Sequence, residues 1–162
     1  MKDLSSILLL LFTFLPSTFA IQDAKSCPYC PPQPATNSEQ TAIFNEFLQT
    51  FLVEKDPKTA FMRHVAEKYI QHNPMALSGR QTAIDILATF IPLSNFTILR
   101  TAVQNGIGFV HYKSVTGGGG PTGGEVTSSI VDILRFEGTC IVEHWDVMGV
   151  RTGNETNPLA WF

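Results

Sequence analysis

The apolar residues change their period partway along the chain, and that change limits the fold more than any single motif. Between Ser38 and Pro92 they recur at three- and four-residue spacing, whereas from Phe96 to Val150 they recur at every second position. A helical period followed by a strand period, without alternation, predicts helices on one side of an antiparallel sheet, an α+β layer architecture. Ser38 can cap a first helix that puts Ile43, Phe44, Phe47, Leu48, Phe51 and Leu52 on one face. Asp56-Pro57, a capping residue then proline at the first helical position, starts a short second helix through Ala60, Phe61, His64 and Val65. Tyr69 to His72 reads as extended and ends at Asn73-Pro74. Ser78 opens a third helix with Ala83, Ile84, Leu87 and Phe90 inward, and Pro92 stops it.

In the second half, Asn105-Gly106 between two alternating segments is a strong hairpin signal, and it sets His111 opposite Arg100. A loop from Gly117 to Gly124 carries six glycines and no lysine, so it reads as a connector and not as a phosphate cradle. A second hairpin turns at Gly138-Thr139. With a two-residue turn, Phe136 faces Ile141, Leu134 faces Glu143 and Asp132 faces Trp145, all on one side of the sheet. Val131, Ile133, Arg135, His144, Asp146 and Met148 then occupy the other side.

Lys2, an apolar run from Ile7 to Leu15 and small residues at Thr18 and Ala20 read as a cleavable signal peptide over residues 1–20. A run of nine residues is too short for a hydrocarbon core, which takes about 20, so no membrane partner is expected after cleavage. The remaining 142 residues suffice for one hydrophobic core. They divide into a Pro-rich arm over 21–38, one domain over 39–150 and a tail over 151–162. The net charge of −3 argues against a nucleic-acid partner. Asn95 and Asn154 head glycosylation sequons, which only an exported chain can use. Cys27-Pro28-Tyr29-Cys30 has the spacing of a redox motif, yet it runs into Pro31-Pro32 and opens no helix. In an oxidising compartment the three cysteines instead predict a bridge from Cys27 or Cys30 to Cys140.

Three segments, Tyr69-Ile70-Gln71-His72-Asn73-Pro74, Val131-Asp132-Ile133-Leu134-Arg135-Phe136 and Ile141-Val142-Glu143-His144-Trp145-Asp146-Val147, occur in this order after the helices. Together they resemble the SnoaL-like branch of the nuclear transport factor 2-like superfamily over roughly residues 39–150. The resemblance implies a cone, in which a bent sheet wraps around a helix and leaves an apolar pocket at its open end. Relatives include polyketide cyclases, ketosteroid isomerases, scytalone dehydratases and limonene epoxide hydrolases, and also members without catalysis. The cyclases carry an acid/base aspartate four residues after the tryptophan matched by Trp145, and here that position is Gly149.

The family directs the tryptophan side of this hairpin inward, which points Asp132 into the pocket as the candidate base. His72, near the mouth by analogy, and His111 are the candidate acid/base partners. Tyr69, Trp145 and Arg100 are candidate substrate contacts. No histidine pair stands at helical ligand spacing and no nucleophile elbow occurs, so neither a metal nor another cofactor is expected. The resulting expectation is a secreted protein that binds or transforms a small apolar carbonyl compound, polyketide-like in character. The alternative is a non-catalytic carrier or dimeric scaffold. Val131, Ile133, Val142 and Met148 on the outer face predict a homodimer with His144 and Asp146 near its two-fold axis. The tail from Arg151 to Phe162 is the competing cover for that face.

Overall fold

The computed structural model describes residues 28–118 and 123–162. The signal-peptide segment, Cys27 and the middle of the glycine-rich loop lie outside the described residues. The fold is α+β, with the three α-helices in the first half, one strand set between the second and third of them, and four strands after. α1 (Asn37–Leu48) continues through a π-helical turn (Gln49–Val53) and is followed by α2 (Pro57–His64), β1 (Val65–Gln71) and α3 (Arg80–Phe90). After a short 3-10 turn come β2 (Ser94–Gln104), β3 (Ile107–Thr116), β4 (Val126–Glu137) and β5 (Cys140–Val150). No helix among the described residues is long and apolar enough to cross a membrane.

The start of α1 differs from the expected Ser38 cap. Thr36 Oγ1 accepts from the Glu39 amide, and the Glu39 carboxylate accepts from the Thr36 amide at 2.7 Å, a reciprocal box that Ser38 cannot form. Asp56 caps α2 as expected, its carboxylate accepting from the Thr59 amide at 2.9 Å. Gly79, at φ +111°, precedes α3 in place of Ser78, whose hydroxyl instead accepts from the Gln71 amide at the end of β1.

The five strands lie in the order β1-β5-β4-β3-β2. The sheet is mixed and not purely antiparallel, because β1 pairs with β5 in parallel. That pairing brings the end of β1 beside the middle of β5, where His72 N donates to His144 O at 3.0 Å. The Asn105-Gly106 hairpin forms with both residues at positive φ, and His111 pairs with Arg100.

The core lies between α1, α2, α3 and the inner sheet face, where Phe44, Phe47, Leu52, Val65, Tyr69, Val110 and Ile141 are at most 2% exposed. Burying each large apolar side chain contributes about 1.5–3 kcal/mol. α1 lies so close to the sheet that a Cβ on Gly108 would stand 3.1 Å from Phe44 and 3.2 Å from Phe136. At the far end Gly138, at φ +53°, lets the N-terminal arm approach within 1.9 Å of where a Cβ would stand. There the Thr139 amide donates to Gln33 O at 2.9 Å, and a disulfide joins Cys30 to Cys140.

Candidate active site

The second hairpin turns where expected, with Phe136 opposite Ile141, but its register shifts one residue later. Arg135 pairs with Glu143, Leu134 with His144, Ile133 with Trp145 and Asp132 with Asp146. Val142 is the extra residue of a bulge. Cys140, Ile141 and Val142 are all buried, which a strictly alternating strand with one open face cannot achieve. A one-residue shift exchanges the faces of everything beyond it. His144, Asp146 and Met148 therefore face inward beside Asp132, and Trp145 faces outward, opposite to the expected assignment.

The inward face meets the helices around a cavity of about 300 Å³. Phe47, Phe51, Phe61, Leu87, Phe90 and Ile91 supply apolar wall, while its polar side chains gather around Asp132 and Asp146. Asp132 is 7% exposed, and its two oxygens have different partners. Tyr112 donates to Oδ2 at 3.0 Å, and His144 Nε2 stands 3.3 Å from Oδ1. His144 Nδ1 lies 2.8 Å from Gln71 Oε1. That oxygen also accepts from the Asn73 amide at 2.9 Å, an obligatory donor, so the imidazole must donate from Nδ1 and leave Nε2 toward Asp132. Asn73 Nδ2 donates to Asp146 Oδ2, holding the second carboxylate in place.

Both tyrosines remain proton donors. Burial, followed by the charges of Asp132 and Asp146, pushes the Tyr69 phenol well up. Burial and then Asp132 do the same to Tyr112. Ligating atoms of Asp132, His144 and Asp146 all lie within 4.8 Å of one another. Among the described residues this is the only cluster with a metal-type donor set, and it is assembled across strands where helical spacing cannot reveal it.

Of the sequence candidates, Asp132 and Tyr69 line the cavity, whereas His72, His111, Trp145 and Arg100 do not. His72 stacks on Trp145 at 4.7 Å between centroids and pairs with Glu143 at 2.8 Å. Arg135 Nε also donates to Glu143 at 2.6 Å, and these bonds, that of His72 first, hold the Glu143 carboxyl below its usual range. His111 lies under the C-terminal tail. Arg100 donates to its Nδ1, so its Nε2 donates to Ser129 Oγ at 2.8 Å, and that hydroxyl donates to Trp161 O at 3.2 Å. Burial, then Arg100, push the His111 imidazole down. His144 and Asp146, expected near a two-fold axis, belong to the cavity, and the tail lies on the outer face.

Gly149 also faces outward, pairing with Ser129, and a Cβ there would stand 2.2 Å from the Trp161 indole. Gly149→Asp is therefore expected to eject the tail without adding an acid or base to the cavity. Limited proteolysis should cleave the variant's tail at least about tenfold faster, because local release sets the cleavage rate. Unchanged cleavage would mean that Trp161 does not pack on Gly149.

The profile of the SnoaL-like domain matches residues 44–144, more than half of the chain. A search of curated proteins found no match. Among solved structures, the chain is similar to TsrD from Streptomyces laurentii, with a TM-score of 0.55 and 17% identity over 70% of this chain and 90% of that one. It is similar also to a protein classed as a SnoaL-like polyketide cyclase from Jannaschia sp. CCS1, with a TM-score of 0.57 and 14% identity over 72% and 90%. A third similar structure is an NTF2-like protein of unknown function from Cytophaga hutchinsonii, at 0.56 and 16% over 67% and 97%. At these identities the structures show the shared fold, and with the domain profile they establish that the chain belongs to the SnoaL-like family of the nuclear transport factor 2-like superfamily.

Proposed function

We propose that this chain is a secreted SnoaL-like enzyme that moves a proton on a small, largely apolar carbonyl compound, polyketide-like in character. The supporting observation is the convergence of Tyr112 and His144 on the two oxygens of a buried carboxylate at the polar end of an apolar cavity. Asp132 takes the proton from the carbon next to the carbonyl, the C–H electron pair becomes the C=C bond of an enolate, and the carbonyl π pair moves to its oxygen. Tyr69 donates a hydrogen bond to that oxygen, where negative charge develops. His144, fixed as an Nδ1 donor by Gln71, holds Nε2 against Asp132, where it takes up that proton, exchanges it with water and returns one through Asp132 to the enolate carbon. Export is supported by the Cys30–Cys140 bridge, which persists in oxidising compartments, and by exposed Asn95 and Asn154.

The test combines native mass spectrometry of the purified protein with a panel of aryl ketones and β-keto esters. The reading predicts a retained or added carbonyl compound and solvent-deuterium exchange at the carbon beside its carbonyl. Binding without exchange would leave a carrier, and no binding by any panel member would overturn the pocket reading altogether.

A further inference from the structure

The polar end of the cavity carries more negative charge than its walls balance. Asp132 and Asp146 face each other across β4 and β5, and no lysine or arginine lines the cavity. Asp132 has Tyr112 and His144, but Asp146 has only the Asn73 amide and forms no ion pair with a described residue. Even with a proton on His144, one carboxylate lacks a cationic partner among the described residues, in the polar part of a cavity whose remaining wall is apolar. A half-buried carboxylate at the edge of an apolar cavity offers a cationic ligand a partner.

A second, independent observation lies in Tyr69. Its side chain is 1% exposed and lines the cavity, and its hydroxyl accepts a long 3.4 Å bond from Gln71 while donating to none of the described residues. A ligand oxygen would complete it. The rim of the cavity is apolar: Met75, Ile86, Phe90 and Met148 line it and are exposed, Met75 by 87%. A bare metal ion would use the carboxylates and leave that apolar wall uncovered. An organic cation uses both.

We infer that the ligand is an amino ketone or similar amphiphilic amine, with its protonated nitrogen against Asp146, its carbonyl oxygen at Tyr69 and its apolar body in the mouth. The inference rests on the pocket reading above and adds the charge of the substrate to it. Ammonium and carboxylate then form a charge-assisted pair shielded from water, the arrangement in which such pairs add affinity.

Calorimetric titration with a matched set tests it: an aryl-alkyl ketone, the same ketone bearing a primary amine, and the same ketone bearing a carboxylate. The amine is expected to bind about tenfold or more tightly than the neutral ketone, with the carboxylate weakest. In Asp146→Asn, which can still accept from Asn73, the ratio of amine to neutral affinity should fall to near one. Neutral ketone binding as tightly as the amine to the wild type would overturn the inference alone and leave the pocket reading intact. A ratio unchanged in a folded Asp146→Asn, or Mn²⁺ bound in place of the amine, would also overturn it. Failure of all three probes would remove both readings, and the wild-type series decides the matter even where the variant does not fold.

Discussion

Asp132→Asn is expected to lower turnover of a bound carbonyl substrate by about 10²- to 10⁴-fold, the range associated with loss of a positioned acid/base group. The substitution keeps the shape of the side chain and removes its capacity to take a proton. Asparagine still offers one oxygen to Tyr112, which donates at 3.0 Å, and it relieves the proximity of two carboxylates on paired strands. The variant should therefore fold, with a melting temperature within a few degrees of wild type. The loss should appear in kcat, with KM little changed, because the group acts on a proton that moves only in the transition state. Tyr112→Phe should lose less, since it removes one hydrogen bond to the carboxylate and leaves His144 in place. Equal turnover in wild type and Asp132→Asn would place the chemistry elsewhere or show that there is none.

The functional consequence of the fold turns on a single extra residue in β5. Without the bulge at Val142, Trp145 would share the face of Asp132, and His144 and Asp146 would look outward. With it, Asp132, His144 and Asp146 meet within 4.8 Å, and parallel β1 supplies Gln71, with Asn73 just beyond its end, to orient the last two. Two long-range events, a bulge and a parallel strand pairing, thus assemble a site whose polar members run from Tyr69 to Asp146, 77 residues apart in sequence.

The helix-then-strand order, the Asp56-Pro57 start and the Asn105-Gly106 hairpin were legible because each rests on local chemistry: side-chain period, capping and positive φ. Resemblance together with period two points Tyr69 and Asp132 at the pocket, and both line it. His72 and His111 satisfied the same residue-type criterion but lie with Trp145 and under the tail, because strand side is set by register and not by residue type. The signal for the shift was present in Cys140-Ile141-Val142, three apolar residues in succession in a strand otherwise expected to alternate. Reading that run as a bulge would have turned His144 and Asp146 inward. Gln71 had no comparable signal, since its role depends on parallel pairing with β5 across more than seventy residues.

Removing the Cys30–Cys140 bridge is expected to destabilise the protein by about 4–5 kcal/mol, which for a chain of this size lowers the melting temperature by roughly 10–20 °C. The bridge spans 110 residues, from the arm before α1 to the first residue of β5, so it closes almost the whole domain into one loop. In the chain-entropy account the effect arises in the unfolded state, which gains freedom when the loop opens. The folded arm has other attachments: Thr139 Oγ1 donates to Tyr29 O at 2.6 Å, Tyr29 stacks on the buried His64 at 4.8 Å, and its hydroxyl donates to Glu46. A Cys30→Ala/Cys140→Ala variant should accordingly keep its fold, its cavity and its ligand while melting much earlier. Cys27→Ser should leave the melting temperature unchanged, because Cys140 is already paired with Cys30. Thermal unfolding of the three proteins, with and without reductant, together with non-reducing peptide mapping, checks the assignment. A map showing Cys27 joined to Cys30, or equal melting of the double variant and wild type, would reject it.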